Sequence, residues 1–180
     1  MASAYFDLRK SFTFYGSFHR NPVNKWIHIV FVPTIFTTSI SLIHIFLSDW
    51  VHLPIFIFYV TSYINMEALS GVLFFPVMTA MYFAGIQILP QNLSALSIFG
   101  LWSLGWVAQF IGHGVFEKKA PSLLTNLPQS LHASVFFVWV ELLFSLGYQP
   151  ALRAALENEI EKRVVLNKES IQLNSKTPAR

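Results

Sequence analysis

From position 26 onward the chain alternates long apolar runs with short polar breaks. The apolar runs cover 26–47, 54–64, 71–89, 93–111 and 131–146, and the breaks between them hold Asp49–His52, Glu67, Pro90–Asn92 and a longer polar loop over 113–129. A helix on the surface of a water-soluble domain must turn a polar stripe outward, and these runs have none. The first run is long enough to cross a hydrocarbon core of roughly 30 Å, and Pro33 inside it predicts a kink. The runs at 54–64 and 71–89 predict a pair of helices. In the run at 93–111, Gly100 and Gly105 permit close helix contact. At the N-terminus, Leu8, Phe12 and Tyr15 share one helical face over 4–16, which predicts a short amphipathic helix on the membrane surface. Near the C-terminus, Leu152, Leu156, Ile160 and Val164 recur every four residues and predict another. The expected fold is an all-α polytopic membrane bundle of four to five spans, flanked by amphipathic helices. Residues 1–168 read as a single membrane-embedded domain and 169–180 as a disordered polar tail.

Charge sharpens this picture. Of the 180 residues, 54% are hydrophobic and 12% charged, against about a quarter charged in an ordinary soluble domain. Positions 26–117 contain no Lys or Arg, and their only acids are Asp49, Glu67 and Glu117. Short loops rich in Lys and Arg stay cytoplasmic. Arg9, Lys10, Arg20 and Lys25 therefore place the N-terminus there, and Lys118 and Lys119 place the 113–130 loop there too. An even number of spans must separate them, and four fit. The run at 131–146, with Glu141 at its middle, is then either re-entrant or a fifth span that overrides the rule. Residues 1–14 do not read as a secretory signal peptide, since they carry Asp7, Arg9 and Lys10 and lack an apolar core with a cleavage site. The chain has no cysteine, which excludes disulfides and thiolate-held metals. No basic stripe of the kind a nucleic-acid reader needs is present.

Four spans have a chemical consequence. The polar lead-in at 17–25 and the loop after the fourth span lie at one membrane face. The first brings His19, Asn21 and Asn24, with His28 a turn further on, and the second brings His113 and Glu117. Asn24 and His28 are four apart, as are His113 and Glu117, so each pair shares a helix face. Neutral imidazole with carboxylate is the donor set of non-heme iron, zinc or manganese, and ionisable groups in membrane segments are costly enough to point to function. His44 lies sixteen residues after His28, roughly 24 Å along a helix. It belongs with His52 at the opposite face. His132 is a secondary candidate near the His113 face, and Glu67 reads as structural. Three functions fit the pattern: a metal-dependent oxygenase, a zinc-dependent membrane hydrolase using the same ligands, and a non-catalytic lipid-binding protein.

Tyr15, His19, Asn21, Asn24 and His28, followed by Val32-Pro33, resemble the N-terminal signature of the 2-hydroxy fatty acid dioxygenases of fungal phytosphingosine degradation. The segment QFIGHGVFEKKAPSLLTNL, residues 109–127, resembles that family's second signature. Ser122 stands where the family usually has Ala, and HASV at 132–135 departs from its common pattern. The resemblance covers nearly the whole chain to about residue 165. It implies an iron(II)-dependent oxygenase of the endoplasmic reticulum membrane. The substrates would be O2 and a long-chain 2-hydroxy fatty acid, shortened by one carbon through α-oxidation. His19, His28 and His113 would be the metal ligands, and Glu117 a fourth ligand or the carboxylate that orients one. Arg20, Asn24 and Lys118 would bind the substrate head.

Overall fold

The computed structural model describes residues 6–121 and 126–176. Within them the chain is entirely helical. Seven helices follow in order: α1 (Leu8–Gly16), α2 (Pro22–Phe46), α3 (Asp49–Met66), α4 (Ala68–Asn92), α5 (Ala95–Glu117), α6 (Leu127–Ser145) and α7 (Pro150–Lys176). α4 and α5 each contain a wider π-helical turn, at Ala84–Ile88 and Gly112–Glu117. The caps follow the local sequence. Asn21 caps α2 by accepting from the Val23 N–H at 2.9 Å, with Pro22 in the first turn. Glu67 caps α4 by accepting from Leu69 and Ser70, and also receives the Tyr148 hydroxyl at 2.7 Å. This is the structural role expected of Glu67.

Three helices, α2, α4 and α5, are long and apolar enough to cross a membrane, and only 22–28% of their most apolar stretches is buried inside the protein. Leu96, Phe99, Leu104 and Val107 of α5 stand exposed, as do Leu69, Val72 and Phe75 of α4. Exposed apolar surface on this scale belongs against lipid. The long runs therefore form as expected, but fewer of them qualify as full spans. α3 has its buried positions at His52, Ser62, Tyr63 and Met66. The apolar run at 131–146 lies in α6, which is interior: Phe136, Phe137 and Val140 are each at most 1% exposed. The run falls short of the roughly 20 apolar residues that a full span needs. The helix of α5 also reaches five residues, 113–117, into the segment expected to be loop. At the other end, α7 stays helical through Lys176, beyond the point where the polar tail was expected to begin, and 177–180 lie outside the described residues.

α2 is the axis of the bundle and runs antiparallel to α5. Asn24 meets Gly112, Ile35 meets Gly105, and Trp102 Nε1 donates to Ser39 Oγ at 3.0 Å. α6 is wedged between α1 and the α3–α4 hairpin: Phe137 meets Phe12, Phe136 stacks on Tyr63, and Trp139 stacks on Phe74. α7 seals α1 through Leu156 and Ile160, with Arg9 paired to Glu159. Among the glycines, the closest approach to another segment's backbone is where α4 meets α3. A Cβ on Gly71 would stand 2.6 Å from the Ile64 backbone nitrogen and Cα. Gly71→Ala therefore forces the helices apart and is expected to exceed the roughly 1–3 kcal/mol of ordinary overpacking. Thermal unfolding in detergent should show a drop of several degrees. Gly100→Ala, with nothing within 4 Å of its Cβ, should change stability by no more than about 0.5 kcal/mol.

Candidate metal centre

The antiparallel pairing of α2 and α5 brings the first turns of α2 beside the last turns of α5, and α1 closes the gap from the side. His19 in the α1–α2 connection, His28 one turn into α2 and His113 in the π-helical turn of α5 converge there. All three are buried, and one ligand atom from each lies within 4.8 Å of the other two. The ring centroids are 4.4–5.0 Å apart and the rings stand edge to face.

The hydrogen bonds fix two tautomers. His19 Nδ1 lies 2.8 Å from the Tyr15 carbonyl oxygen and His28 Nδ1 lies 2.9 Å from that of Asn24. A carbonyl only accepts, so both Nδ1 atoms carry hydrogen and both Nε2 atoms present lone pairs. Those two Nε2 atoms face each other at 3.1 Å. Two lone pairs at that distance in a buried site repel unless a cation lies between them. The separation also suits neighbouring ligands on one ion, given metal–nitrogen bonds of about 2.0–2.1 Å. His113 Nδ1 is buried and has no hydrogen-bond partner. Burial, together with the His28 and His113 imidazoles, holds His19 well below its ordinary pKa. The ring is thus neutral and able to ligate. Tyr15 stacks on His19 at 3.9 Å and fixes its plane. The donor chemistry, the backbone-held tautomers and the opposed lone pairs all fit a metal ion.

Residues 5–146 match the Mpo1-like family, described as 2-hydroxy-palmitic acid dioxygenase Mpo1-like. The chain is also 37% identical over 168 residues to the 2-hydroxy-palmitic acid dioxygenase MPO1 of Saccharomyces cerevisiae, covering 89% of this chain and 94% of the yeast protein. The chain belongs to the Mpo1-like family. No solved structure matches it.

In this Mpo1-like chain the remaining sequence-named residues scatter around the triad. Glu117 Oε1 accepts from the Asn21 backbone N–H at 2.7 Å and from Asn24 Nδ2 at 3.2 Å, while Asn21 Nδ2 donates to the Phe116 carbonyl. Glu117 and Asn24 thus clamp the start of α2 to the end of α5, and this clamp holds His28 and His113 in register. Arg20 pairs with Glu157 at 3.0 Å and Glu161 at 3.7 Å on α7. Lys118 follows the π-helical turn with a left-handed backbone, φ 53°. Lys25 pairs with the largely buried Glu141 of α6 at 2.9 Å. His132 hydrogen-bonds Ser62 between α3 and α6, away from the triad.

A cavity of about 280 Å³ opens from the triad. Tyr15, His19, His28 and His113 form its polar end. Val32, Phe36, Ile40 and Ile43 continue it along α2, with Ile55 and Tyr59 of α3 and Phe137 of α6 opposite. Arg20, Asn24, Glu117 and Lys118 are not part of its wall. Two wall residues to which the sequence reading gave no role in the site are Trp106 and Gln109 of α5, whose Nε1 and Nε2 are buried without hydrogen-bond partners among the described residues. Gln109 lies four residues before His113, which is the signal that it faces the same way.

Proposed function

We propose that this protein is an iron(II)-dependent dioxygenase that carries out α-oxidation of long-chain 2-hydroxy fatty acids in the endoplasmic reticulum membrane, within phytosphingosine degradation. The observation that carries this reading is the three-histidine cluster, with two opposed Nε2 lone pairs, at the head of an apolar cavity. The activity for which the yeast relative is named supports the substrate class.

His19, His28 and His113 would hold the ion, and iron(II) bound there supplies the redox partner that O2 needs to react with a closed-shell acid. The reaction balances with one O2. The C1–C2 bond breaks, C2 becomes the carboxyl carbon of the shortened acid, and C1 leaves as CO2 with one water. The protein's own groups do the positioning. The cavity accepts the acyl chain along α2, so the carboxylate and 2-hydroxyl reach the polar end and C1–C2 sits beside the triad. The free N–H donors of Gln109 and Trp106 are available to the substrate's oxygens, and an unpaired buried donor costs about 1–3 kcal/mol that such a bond would recover. Apolar walls keep bulk water from the reacting carbons.

The test is product analysis from 2-hydroxypalmitate, using purified protein stripped of metal and then reloaded. Pentadecanoate should form only with added Fe2+ and only under air. An absolute oxygen requirement dismisses the zinc hydrolase, product that forms equally under nitrogen would overturn the dioxygenase, and full turnover without metal would remove the iron centre altogether.

A further inference from the structure

The end of α2 remote from the triad carries a second convergence of metal-ligating groups. α2 and α3 are joined there by only Leu47 and Ser48. His44 in the last turn of α2, and Asp49 and His52 in the first turn of α3, bring one ligand atom each within 4.8 Å of the others. His52 Nε2 lies 2.8 Å from Asp49 Oδ1 and 3.3 Å from His44 Nδ1, and His44 Nδ1 lies 3.1 Å from the same carboxylate oxygen. His52 is 2% exposed, and its Nδ1 is 2.9 Å from the Tyr82 hydroxyl of α4. Asp49 is open to solvent, with its side chain 76% exposed, so an ion has a path in.

We propose that His44, Asp49 and His52 form a second, structural metal site for a divalent transition ion of the zinc class, which clips α2 to α3 at the membrane face opposite the triad. Two imidazoles and one carboxylate are the donor set such ions take. When His52 Nδ1–H donates to the Tyr82 oxygen, Nε2 turns a lone pair toward Asp49 and His44. Three electron-rich atoms then share one small space, and a cation resolves it. Tyr82 holds the ring as outer hydrogen bonds hold ligating histidines elsewhere. The competing arrangement is a proton network in which Tyr82 donates and both imidazoles give N–H bonds to Asp49. The clip bears on the cavity because Ile43 and Ile55, neighbours of His44 and His52 in sequence, form part of its wall.

Titration of the metal-stripped full-length protein with Co2+, followed by its visible absorption, separates the two arrangements. The proposal expects a Co2+ equivalent that survives in the variant His19→Ala/His28→Ala/His113→Ala and is weakened at least tenfold by Asp49→Asn. In that triad-less chain, Zn2+ should raise the unfolding temperature, and Asp49→Asn should cancel the rise. If the triad-less chain does not fold, Asp49→Asn in the wild-type chain should remove one of two bound equivalents. Binding indifferent to Asp49→Asn, or none outside the triad, would leave the cluster a proton network and overturn the proposal. Failure of the triad itself would look different: the wild-type chain would bind one equivalent, and Asp49→Asn would abolish it.

Discussion

Replacing His28 with alanine is expected to abolish chain shortening, by about 10³-fold or more, while the protein still inserts and accumulates. His28 has a narrow structural duty. Its Nδ1–H bonds to Asn24, one turn back in the same helix, so its removal takes no hydrogen bond from the packing of α2 on α5, only the edge-to-face contact of its ring with His113. Its Nε2 lies 3.1 Å from that of His19, on the side where the triad converges. In the metal-free protein that approach is unfavourable, and truncation relieves it while leaving a small void. The two effects oppose each other, so metal-free stability should change little. Metal binding should change greatly. Loss of a group that merely orients a ligand costs about 10–100-fold in affinity or activity, and loss of the ligand itself should cost more. The measurement is the unfolding temperature with and without Fe2+ under anaerobic conditions, beside product yield. The wild-type chain should show a metal-dependent rise and His28→Ala should not. A variant that keeps both the rise and the turnover would remove His28 from the site.

That His28 meets His113 at all was legible in the sequence. Positions 26–117 hold four helical segments, and an even number returns the chain to the face it left. The polar lead-in before α2 and the end of α5 then had to be neighbours. The pattern also carried the apolar runs, both amphipathic ends and the separation of His44 from His28.

Other features depended on contacts that spacing does not encode. His113 and Glu117 are four apart, which on an α-helix puts them on one face. The structure instead winds this segment with i→i+5 bonds. The wider turn sends the Glu117 carboxylate to Asn21 and Asn24, so it clamps α2 instead of facing the other histidines. α6 read as a possible span because Phe136, Phe137 and Val140 are as apolar as lipid-facing residues; only tertiary packing shows that they face protein. Arg20 beside His19 looked suited to a substrate carboxylate. Its pairing with Glu157 and Glu161 required α7 to fold back across more than a hundred residues. Gln109 heads the second signature, four residues before His113, but that it and Trp106 hold buried donors without partners is a consequence of packing that spacing does not encode.

Ile43→Trp is expected to move the chain-length preference of the enzyme toward shorter acids while leaving the chemistry intact. Fifteen residues of α2 separate His28 from Ile43, a rise of roughly 22 Å, and both line the cavity. An extended acyl chain advances roughly 1.25 Å per carbon, given C–C bonds of about 1.5 Å. A sixteen-carbon acid therefore reaches the neighbourhood of Ile43 when its carboxylate lies at the triad. Burial alone does not set a sharp limit. A methylene taken from water into the protein gains about 0.8 kcal/mol, but a substrate drawn from the bilayer is already out of water, and most of that gain is absent. Steric exclusion decides instead. Overfilling a packed apolar space costs about 1–3 kcal/mol, which corresponds to roughly 5- to 150-fold in kcat/KM. The indole at position 43 should impose that cost on 2-hydroxypalmitate and spare 2-hydroxylaurate, which ends well short of it. Ile43→Ala should relax the limit toward longer acids. Competition between acids of different length, read from the ratio of shortened products, checks both directions. Equal loss for long and short acids would mean that the variant harms the fold and not the reach of the cavity. An unchanged ratio would mean that the acyl chain leaves the triad by another path.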